Sequence, residues 1–110
     1  MKILHFVDTS GAGTDEHFVP AKNITLVEME NNSTVKVWWK TRADFTDDMM
    51  DITCTTAMAD NLLLTICEHM IDSGVSYNEI PKFEDGEVPK NSYGFTGAIS
   101  NMAFTAGSDA

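Results

Sequence analysis

The sequence has little positive charge. Seven lysines and arginines stand against 17 aspartates and glutamates, so the formal net charge is -10 at pH 7. A field of that sign repels phosphate backbones and anionic lipid headgroups. Long apolar runs are also missing, and none approaches the roughly 20 residues that a membrane-spanning helix needs. These absences disfavour nucleic acid as a partner and predict no membrane contact.

Cysteine is scarce, since Cys54 and Cys67 are the only two. Both lie in apolar sequence, where a reduced thiol behaves as a small hydrophobic side chain, so free thiols are favoured over a disulfide between them. The apolar start from Met1 to Val7 is brief, carries only Lys2 as a positive group and lacks a small-residue cleavage site. It is not typical of a signal peptide, and we expect a cytoplasmic rather than a secreted protein.

One stretch, from Thr56 to Gly74, has the periodicity of an α-helix. Its apolar residues recur at helical spacing and form one stripe, made of Ala59, Leu62, Leu63, Ile66, Cys67 and Met70. The opposite face carries Asn61, Thr65, Glu68 and Asp72. Thr55 or Thr56 is expected to cap the first turn, and Gly74 to close the last.

The remaining apolar segments are short and predict strands. These segments are Lys2–Asp8, His17–Val19, Asn23–Glu30, Thr34–Lys40, Met49–Thr55, Tyr93–Ile99 and Asn101–Thr105. The last two are expected to form a final strand or hairpin, with a bulge or bend at Gly97. The clearest hairpin joins the third and fourth segments through a turn at Asn31-Asn32. Residues 75–91 are expected to lack regular structure for most of their length, and the tail from Ala106 to Ala110 is expected to fray.

A single domain covering residues 1–110 follows from the length. The predicted fold is mainly β with one helix: a small, strongly bent antiparallel sheet of five or six strands with the helix packed against it, or an open α+β sandwich as the alternative. The predicted core is Ile3 or Leu4, Phe6, Ile24, Leu26, Val35, Val37, Trp39, Ile52, Cys54, Leu62, Leu63, Ile66, Met70, Phe95 and Phe104. On that basis, Leu63→Ala is expected to lower the free energy of unfolding by about 2 to 5 kcal/mol.

No arrangement of residues in the sequence is typical of a catalytic or metal site. The three histidines are His5, His17 and His69, and no pair has the i, i+4 spacing of a helical zinc site. The acidic residues that could gather around a calcium ion are Asp44, Asp47, Asp48 and Asp51, but their spacing favours a solvated acidic loop. We therefore predict that the chain is not an enzyme and uses no cofactor.

One strand carries an unusual surface. Trp38 and Trp39 are adjacent, so the alternation of a strand turns one of them away from the core. Trp38 shares its face with Lys36 and Lys40, and Arg42 follows just beyond. An aromatic ring between cations can stack on the bases of a single strand, and the same combination is common in subunit interfaces. The acidity of the whole chain favours the interface.

Four stretches carry a resemblance to other proteins. They are Phe18–Ile24, Ser33–Lys40, Asp51–Thr56 and Ile99–Phe104. Together they resemble a diffuse set of short uncharacterised proteins from marine tailed phages and ocean metagenomes. The resemblance implies a viral or virus–host setting, in the host cytoplasm or a virion, and an Sm-like or SH3-like barrel packed on one α-helix. That set has no assigned activity, so the resemblance carries over no functional residue.

The functional prediction is a non-enzymatic, self-associating phage-type protein, such as a small virion or assembly component. In this prediction a monomer leaves Trp38 and one of Leu4 or Phe6 in water, whereas a homo-oligomer buries them. The alternative is an Sm-like module that binds RNA or single-stranded nucleic acid through Trp38 with Lys36, Lys40 and Arg42. Such binding is expected to be weak and to fall steeply with salt.

Overall fold

The computed structural model describes residues 2–11, 15–71, 80–87, 95 and 97–108. In these residues the elements follow in the order β1 (Ile3–Asp8), β2 (Asp15–Pro20), a 3-10 turn (Ala21–Asn23), β3 (Ile24–Asn31), β4 (Thr34–Trp39), β5 (Asp48–Cys54), α1 (Ala59–Met70), β6 (Lys82–Phe83) and β7 (Ile99–Thr105). The prediction of a mainly β fold with one helix is confirmed.

The strands form two sheets, with the orders β2-β1-β6 and β3-β4-β5-β7. All neighbours are antiparallel except β1 and β6, which run parallel. Neither strand order closes on itself in the described residues, so a barrel of the Sm-like or SH3-like kind is not formed there. The open α+β sandwich, predicted as the alternative, matches the arrangement, because the first hairpin builds its own sheet instead of extending the larger one.

Strand β1 is buried on both faces, which is one of the two arrangements that its two-sided apolar sequence allows, the other being an oligomer contact. Leu4 and Phe6 are fully buried in the core, while His5 and Val7, on the other face, are also buried. A single chain therefore removes Leu4 and Phe6 from water. The expectation that a monomer leaves one of them exposed was wrong, so of the residues that this prediction named only Trp38 still supports self-association.

The core lies between the two sheets and α1. Its buried members are Leu4, Phe6, Val19, Val35, Val37, Trp39, Met50, Ile52, Cys54, Ala59, Leu62, Ile66, Phe83, Phe95, Ile99 and Met102. Some predicted core residues only pack against its edge, namely Ile24, Leu63, Met70 and Phe104. Strands β4 and β5 show the predicted alternation, with every second residue buried.

Leu26 is not a core residue, and a β-bulge explains the error. Ile24 pairs with Trp39 but Leu26 pairs with Trp38, so Thr25 is an extra residue in β3. This extra residue moves the side chains that follow it to the opposite face, up to a second irregularity at Glu30. Leu26 is therefore 48% exposed on the outer face, and Val27 packs against the core in its place.

The helix begins later than predicted and has no side-chain cap. Its N-cap residue is Met58, and neither Thr55 nor Thr56 caps it. The backbone N–H groups of Ala57 and Ala59 donate to the carbonyl of Asn32, in the β3–β4 turn, so a neighbouring turn satisfies this end of the helix. The helix ends at Met70, and Gly74 lies outside the described residues.

Thr65 was predicted on the solvent face of the helix and is instead fully buried. Its hydroxyl donates to the carbonyl of Asn61, 2.8 Å away, one turn earlier. That bond satisfies the hydroxyl locally, so the side chain enters the core at little cost. Among the other residues predicted to face solvent, Asp72 lies outside the described residues.

The β3–β4 turn lies one residue later than predicted, at Asn32-Ser33, because Asn31 still pairs with Thr34. The Asn31 side-chain oxygen accepts hydrogen bonds from the backbone N–H (2.9 Å) and hydroxyl (3.1 Å) of Ser33. This side-chain turn replaces the positive φ that an Asn-Asn turn would require.

The last predicted strand is shorter than expected. β7 starts at Ile99, after a bend at Gly97, and its register irregularity lies at Ser100, since Cys54 pairs with Ile99 and Thr53 with Asn101. Tyr93 and most of residues 75–91 lie outside the described residues, although Lys82–Phe83 within that range forms β6.

The tail does not fray as far back as Ala106. The Gly107 N–H donates to the Asp48 carboxylate at 2.7 Å, and Ser108 exchanges hydrogen bonds with Thr46. A Cβ at Gly107 would lie 1.9 Å from the Thr46 carbonyl oxygen, so only glycine fits this close approach. Asp109 and Ala110 lie outside the described residues.

The end of β1 joins the two sheets by hydrogen bonds to β7. The Asp8 carboxylate accepts from the N–H of Phe104 (3.0 Å), and from the N–H (2.8 Å) and hydroxyl (2.7 Å) of Ser10. Thr9 and Met102 bond to each other in both directions. Burial alone would raise the pKa of Asp8, but the hydrogen bonds from Ser10 and Phe104 outweigh it and lower that pKa.

Asp8→Asn is expected to lower the free energy of unfolding by about 0.5 to 1.5 kcal/mol at pH 7, because charge-assisted hydrogen bonds weaken. The pKa of Asp8 is lower in the folded state than its ordinary value of 3.8. Its stabilisation is therefore fully present above that value and is lost as the pH falls through the lowered pKa. Denaturation curves at pH 7 and pH values below about 4 should show the gap between wild type and variant closing. A gap that stays constant, or an equal effect of Asp15→Asn at an exposed position, would contradict the role of Asp8.

Candidate interaction face

The outer face of the four-stranded sheet carries the residues that the sequence singles out, and we call it the Trp38 face. Its central row of cross-strand neighbours is Leu26, Trp38, Met49 and Thr105. The next row is Glu28, Lys36, Asp51 and Ala103. Helix α1 supplies core residues to the opposite face of this sheet. The Trp38 face is thus a sheet surface with an apolar row beside a charged row.

The two tryptophans divide between the faces as predicted. Trp39 is buried, and its ring stacks with those of Phe6 and Phe104, each with centroids 5.9 Å away. Trp38 is half-buried on the outer face, with Leu26 and Met49 as its neighbours on the adjacent strands. Alternation places Met49 on this face, whereas Leu26 reaches it only through the bulge at Thr25.

Lys36 lies on this face and has an ion-pair partner. Its ammonium is 2.8 Å from the Glu30 carboxylate. The hydrogen bond that Lys36 donates to the Glu30 carboxylate raises the pKa of Lys36, and the charges of Glu30, Asp51 and Glu28 act in the same direction. The amine is therefore a cation inside an acidic group of side chains.

Lys40 and Arg42 both interact with the loop that follows β4. The Lys40 ammonium donates to the Phe45 carbonyl at 2.6 Å and lies 4.0 Å from the Asp47 carboxylate. The Arg42 guanidinium lies over the Phe45 ring, 4.7 Å from its centroid. The structure therefore brings Lys36 and Trp38 together on one face, places Lys40 at its end, and assigns Arg42 to the loop.

The charges on this face do not form a basic patch. A phosphate approaching Lys36 meets the carboxylates of Glu28, Glu30 and Asp51, each of which acts on that lysine. Stacking of bases on Trp38 would therefore have to overcome local repulsion as well as the net charge of the chain. The geometry gives the nucleic-acid alternative no additional support.

The carboxylates of Asp47, Asp48 and Asp51 make separate contacts. Asp47 accepts a hydrogen bond from the Thr25 hydroxyl, Asp48 accepts from the Gly107 N–H, and Asp51 lies beside Lys36. In the part of the chain that the structure describes, no three His, Cys, Asp or Glu side chains are grouped so that they could bind a metal ion. Three of the four side chains considered as calcium ligands, Asp47, Asp48 and Asp51, thus have different partners.

The histidines pack against aromatic rings. His5 stacks on Phe18 and His17 on Phe104, each at 4.0 Å between centroids, and His69 meets the edge of Phe83. His5 Nε2 lies 2.8 Å from a carboxylate oxygen of Glu16, although the approach lacks hydrogen-bond geometry. The three imidazoles therefore lie in separate aromatic contacts.

The two cysteines are free, as predicted. Burial raises the pKa of the Cys67 thiol, and burial together with the charge of Asp60 raises the pKa of Cys54. Both groups are therefore neutral thiols at pH 7. A neutral thiol is a poor nucleophile, so neither cysteine has the environment of a reactive one.

No helix in the described ranges is long and apolar enough to cross a membrane. Comparisons with protein-family models, curated proteins and solved structures gave no significant match. The resemblance to phage proteins stays a prediction, and the Trp38 face is the feature from which a function can be argued.

Proposed function

We propose that this chain is a non-enzymatic protein that self-associates through the Trp38 face, as a small virion or assembly component of a phage-type system. The observation that supports this proposal is the apolar row of Leu26, Trp38 and Met49 on the outer face of the sheet. Leu26 is 48% exposed and Trp38 is half-buried. A second copy would remove this row from water.

The size of the face predicts a weak association. Four strands about 4.8 Å apart, each with about seven residues of 3.3 Å, give a face of about 440 Å² in plan. Two such faces together bury about 880 Å², which is below the roughly 1,200 Å² at which stable protein interfaces begin and falls in the range of weak, transient contacts. We therefore expect dissociation constants in the micromolar range, which suits a subunit that assembles only at high local concentration. The net charge of -10 keeps the free subunits soluble.

Trp38→Ala is expected to weaken self-association by at least about 30-fold, because a central aromatic side chain contributes about 2 kcal/mol or more to an interface. Size exclusion with light scattering, from low to high micromolar protein, should show the mass of the wild type rising above 12.1 kDa and that of the variant staying there. The matched control is Leu64→Ala, which removes a side chain 40% exposed on the helix. A wild type that stays at 12.1 kDa throughout would refute the proposal.

The same proteins test the nucleic-acid alternative. A labelled single strand is titrated at low salt, where any electrostatic binding is strongest. We expect no binding to wild type at high micromolar concentration. Binding that falls with salt and is lost in Trp38→Ala would instead favour a single-strand-binding module over the self-associating protein.

A further inference from the structure

We infer that two copies pack face to face through the Trp38 face as a two-fold dimer whose axis runs parallel to the strands, midway between β4 and β5. This inference rests on the proposed function, because it specifies how the second copy is oriented on the same face. It follows from the outward side chains of these two strands, which carry opposite charges in the same pattern around one large apolar residue.

The outward residues of β4 are, in order, Lys36, Trp38 and Lys40. Their neighbours on β5 are, in the same order, Asp51, Met49 and Asp47. Each strand therefore presents an apolar side chain between two like charges, and the charges on the two strands have opposite signs. The excess of acidic residues in the whole chain does not extend to this pair of strands, which presents two cations and two carboxylates.

A two-fold axis between these strands places β4 of each copy opposite β5 of the other. Facing sheets pack about 10 Å apart with their strands nearly aligned. Lys36 then faces Asp51 of the second copy, and Lys40 faces Asp47 of the second copy. Because the axis repeats each contact, the interface has four pairs of opposite charges. Opposite charges that face each other across an interface fix its orientation and disfavour other arrangements.

The same axis also buries the apolar row. Trp38 faces Met49 of the second copy on both sides of the axis, and a thioether against an aromatic ring is a favourable contact. Leu26, which is 48% exposed in one chain, faces Thr105 of the second copy at the edge of the sheet. The excess carboxylate of Glu28 faces Ala103, an uncharged residue.

Other two-fold axes oppose like charges or leave part of the row uncovered. An axis along the central row places Lys36 over Lys40 and Asp51 over Asp47. An axis along β4 places Lys36 over its own equivalent, and an axis along β5 does the same for Asp51. Axes between the outer pairs of strands leave either Met49 or Trp38 opposite no strand of the second copy. Only the axis between β4 and β5 combines opposite charges with burial of the whole row.

Leu26 and Thr105, at the two ends of the central row, provide a cross-linking test. The inferred axis places Leu26 about 10 Å from Thr105 of the second copy. Each residue lies about 17 to 18 Å from its own equivalent, because the two copies are offset by three strand spacings of about 4.8 Å. A short bis-maleimide added to a mixture of Leu26→Cys and Thr105→Cys at high micromolar protein should therefore form a mixed covalent dimer.

Mass spectrometry distinguishes the mixed dimer from the two covalent homodimers. Each variant treated alone should form several-fold less covalent dimer than the mixture, and wild type measures the background from Cys67, which is half-buried. Homodimers from each variant alone in the same yield as the mixed dimer would overturn the inferred axis. So would the lack of a mixed dimer in samples that light scattering shows to be associated.

A charge exchange tests the orientation independently. Lys36→Glu and Asp51→Lys should each weaken self-association at least about tenfold, because each substitution opposes like charges twice across the interface. An equimolar mixture of the two should associate as wild type does, because the introduced charges then face opposite charges. Mixing leaves the neighbours within each chain unchanged, so this recovery can come only from contacts between copies.

Light scattering measures the two variants, their mixture and a control. The control is Lys22→Glu, which makes the same change of charge at an exposed position in the 3-10 turn and should associate as wild type does. Normal self-association of Lys36→Glu would overturn the inferred orientation while leaving self-association intact. A monomeric wild type would refute the proposed function itself.

Discussion

Phe6→Ala is expected to lower the free energy of unfolding by about 3 to 5 kcal/mol. Phe6 is fully buried at the centre of β1. Its ring stacks on Trp39 of the larger sheet, with centroids 5.9 Å apart, and on Phe83 of β6 at 5.3 Å. Truncation to alanine therefore removes a contact that joins the two sheets and leaves a cavity that both sheets line.

Chemical denaturation at several protein concentrations measures this effect. Because Phe6 packs within one chain, the loss of stability should be the same at every protein concentration. The milder Phe6→Leu, which keeps more of the side chain and should cost less than the alanine change, serves if the alanine variant does not fold. The control is Phe18→Ala on β2, since Phe18 is 55% exposed; it should cost about 1 kcal/mol or less. A loss of stability from Phe6→Ala that depends on protein concentration would indicate that β1 packs between subunits.

Alanine substitutions at three consecutive leucines of α1 should destabilise the protein to graded extents. Leu62 is fully buried, Leu63 is partly buried at the edge of the core, and Leu64 is 40% exposed. Leu62→Ala should cost about 2 to 5 kcal/mol, the range that the sequence assigned to Leu63. Leu63→Ala should lower the free energy of unfolding clearly less than this, and Leu64→Ala should lower it by about 0.5 kcal/mol or less.

Each variant changes the same side chain to the same residue, so helix propensity cancels and burial alone separates them. Denaturation midpoints with an unchanged dependence on denaturant give the three differences directly. Equal losses at Leu62 and Leu64 would contradict the helix orientation. A loss at Leu63 as large as that at Leu62 would support the sequence-based stripe over the observed one.

Several features of this protein were predictable from local periodicity. Strand β4 alternates between buried and half-buried side chains, so the opposite orientations of Trp38 and Trp39 follow directly from the pleat. The same alternation places Met50 and Ile52 inside. The two-sided apolar sequence of β1 allows either a strand buried on both faces or an oligomer contact, and the structure shows burial on both faces within one chain.

Predictions from periodicity were wrong where the chain departs from regular strand or helix geometry. The bulge at Thr25 is decided by pairing with β4 and by the contact of the Thr25 hydroxyl with Asp47, 22 residues later. The missing helix cap has a similar cause, because a carbonyl in the β3–β4 turn takes the place of a threonine side chain. These partners are distant in sequence, so a local sequence pattern cannot predict them.

The sequence by itself determined the class of fold, the free thiols and the presence of an aromatic residue on an outer sheet face. Tertiary structure alone decided that the strands divide into two sheets, since β1 pairs in parallel with the two-residue β6, a segment with little strand signal of its own. It also decided the charge around Trp38. In the sequence of β4, Lys36 is an isolated cation. Strand pairing, however, places Glu28 and Asp51 on either side of it. The character of a sheet face depends on neighbours across strands, and these are set by register, a property of the folded chain.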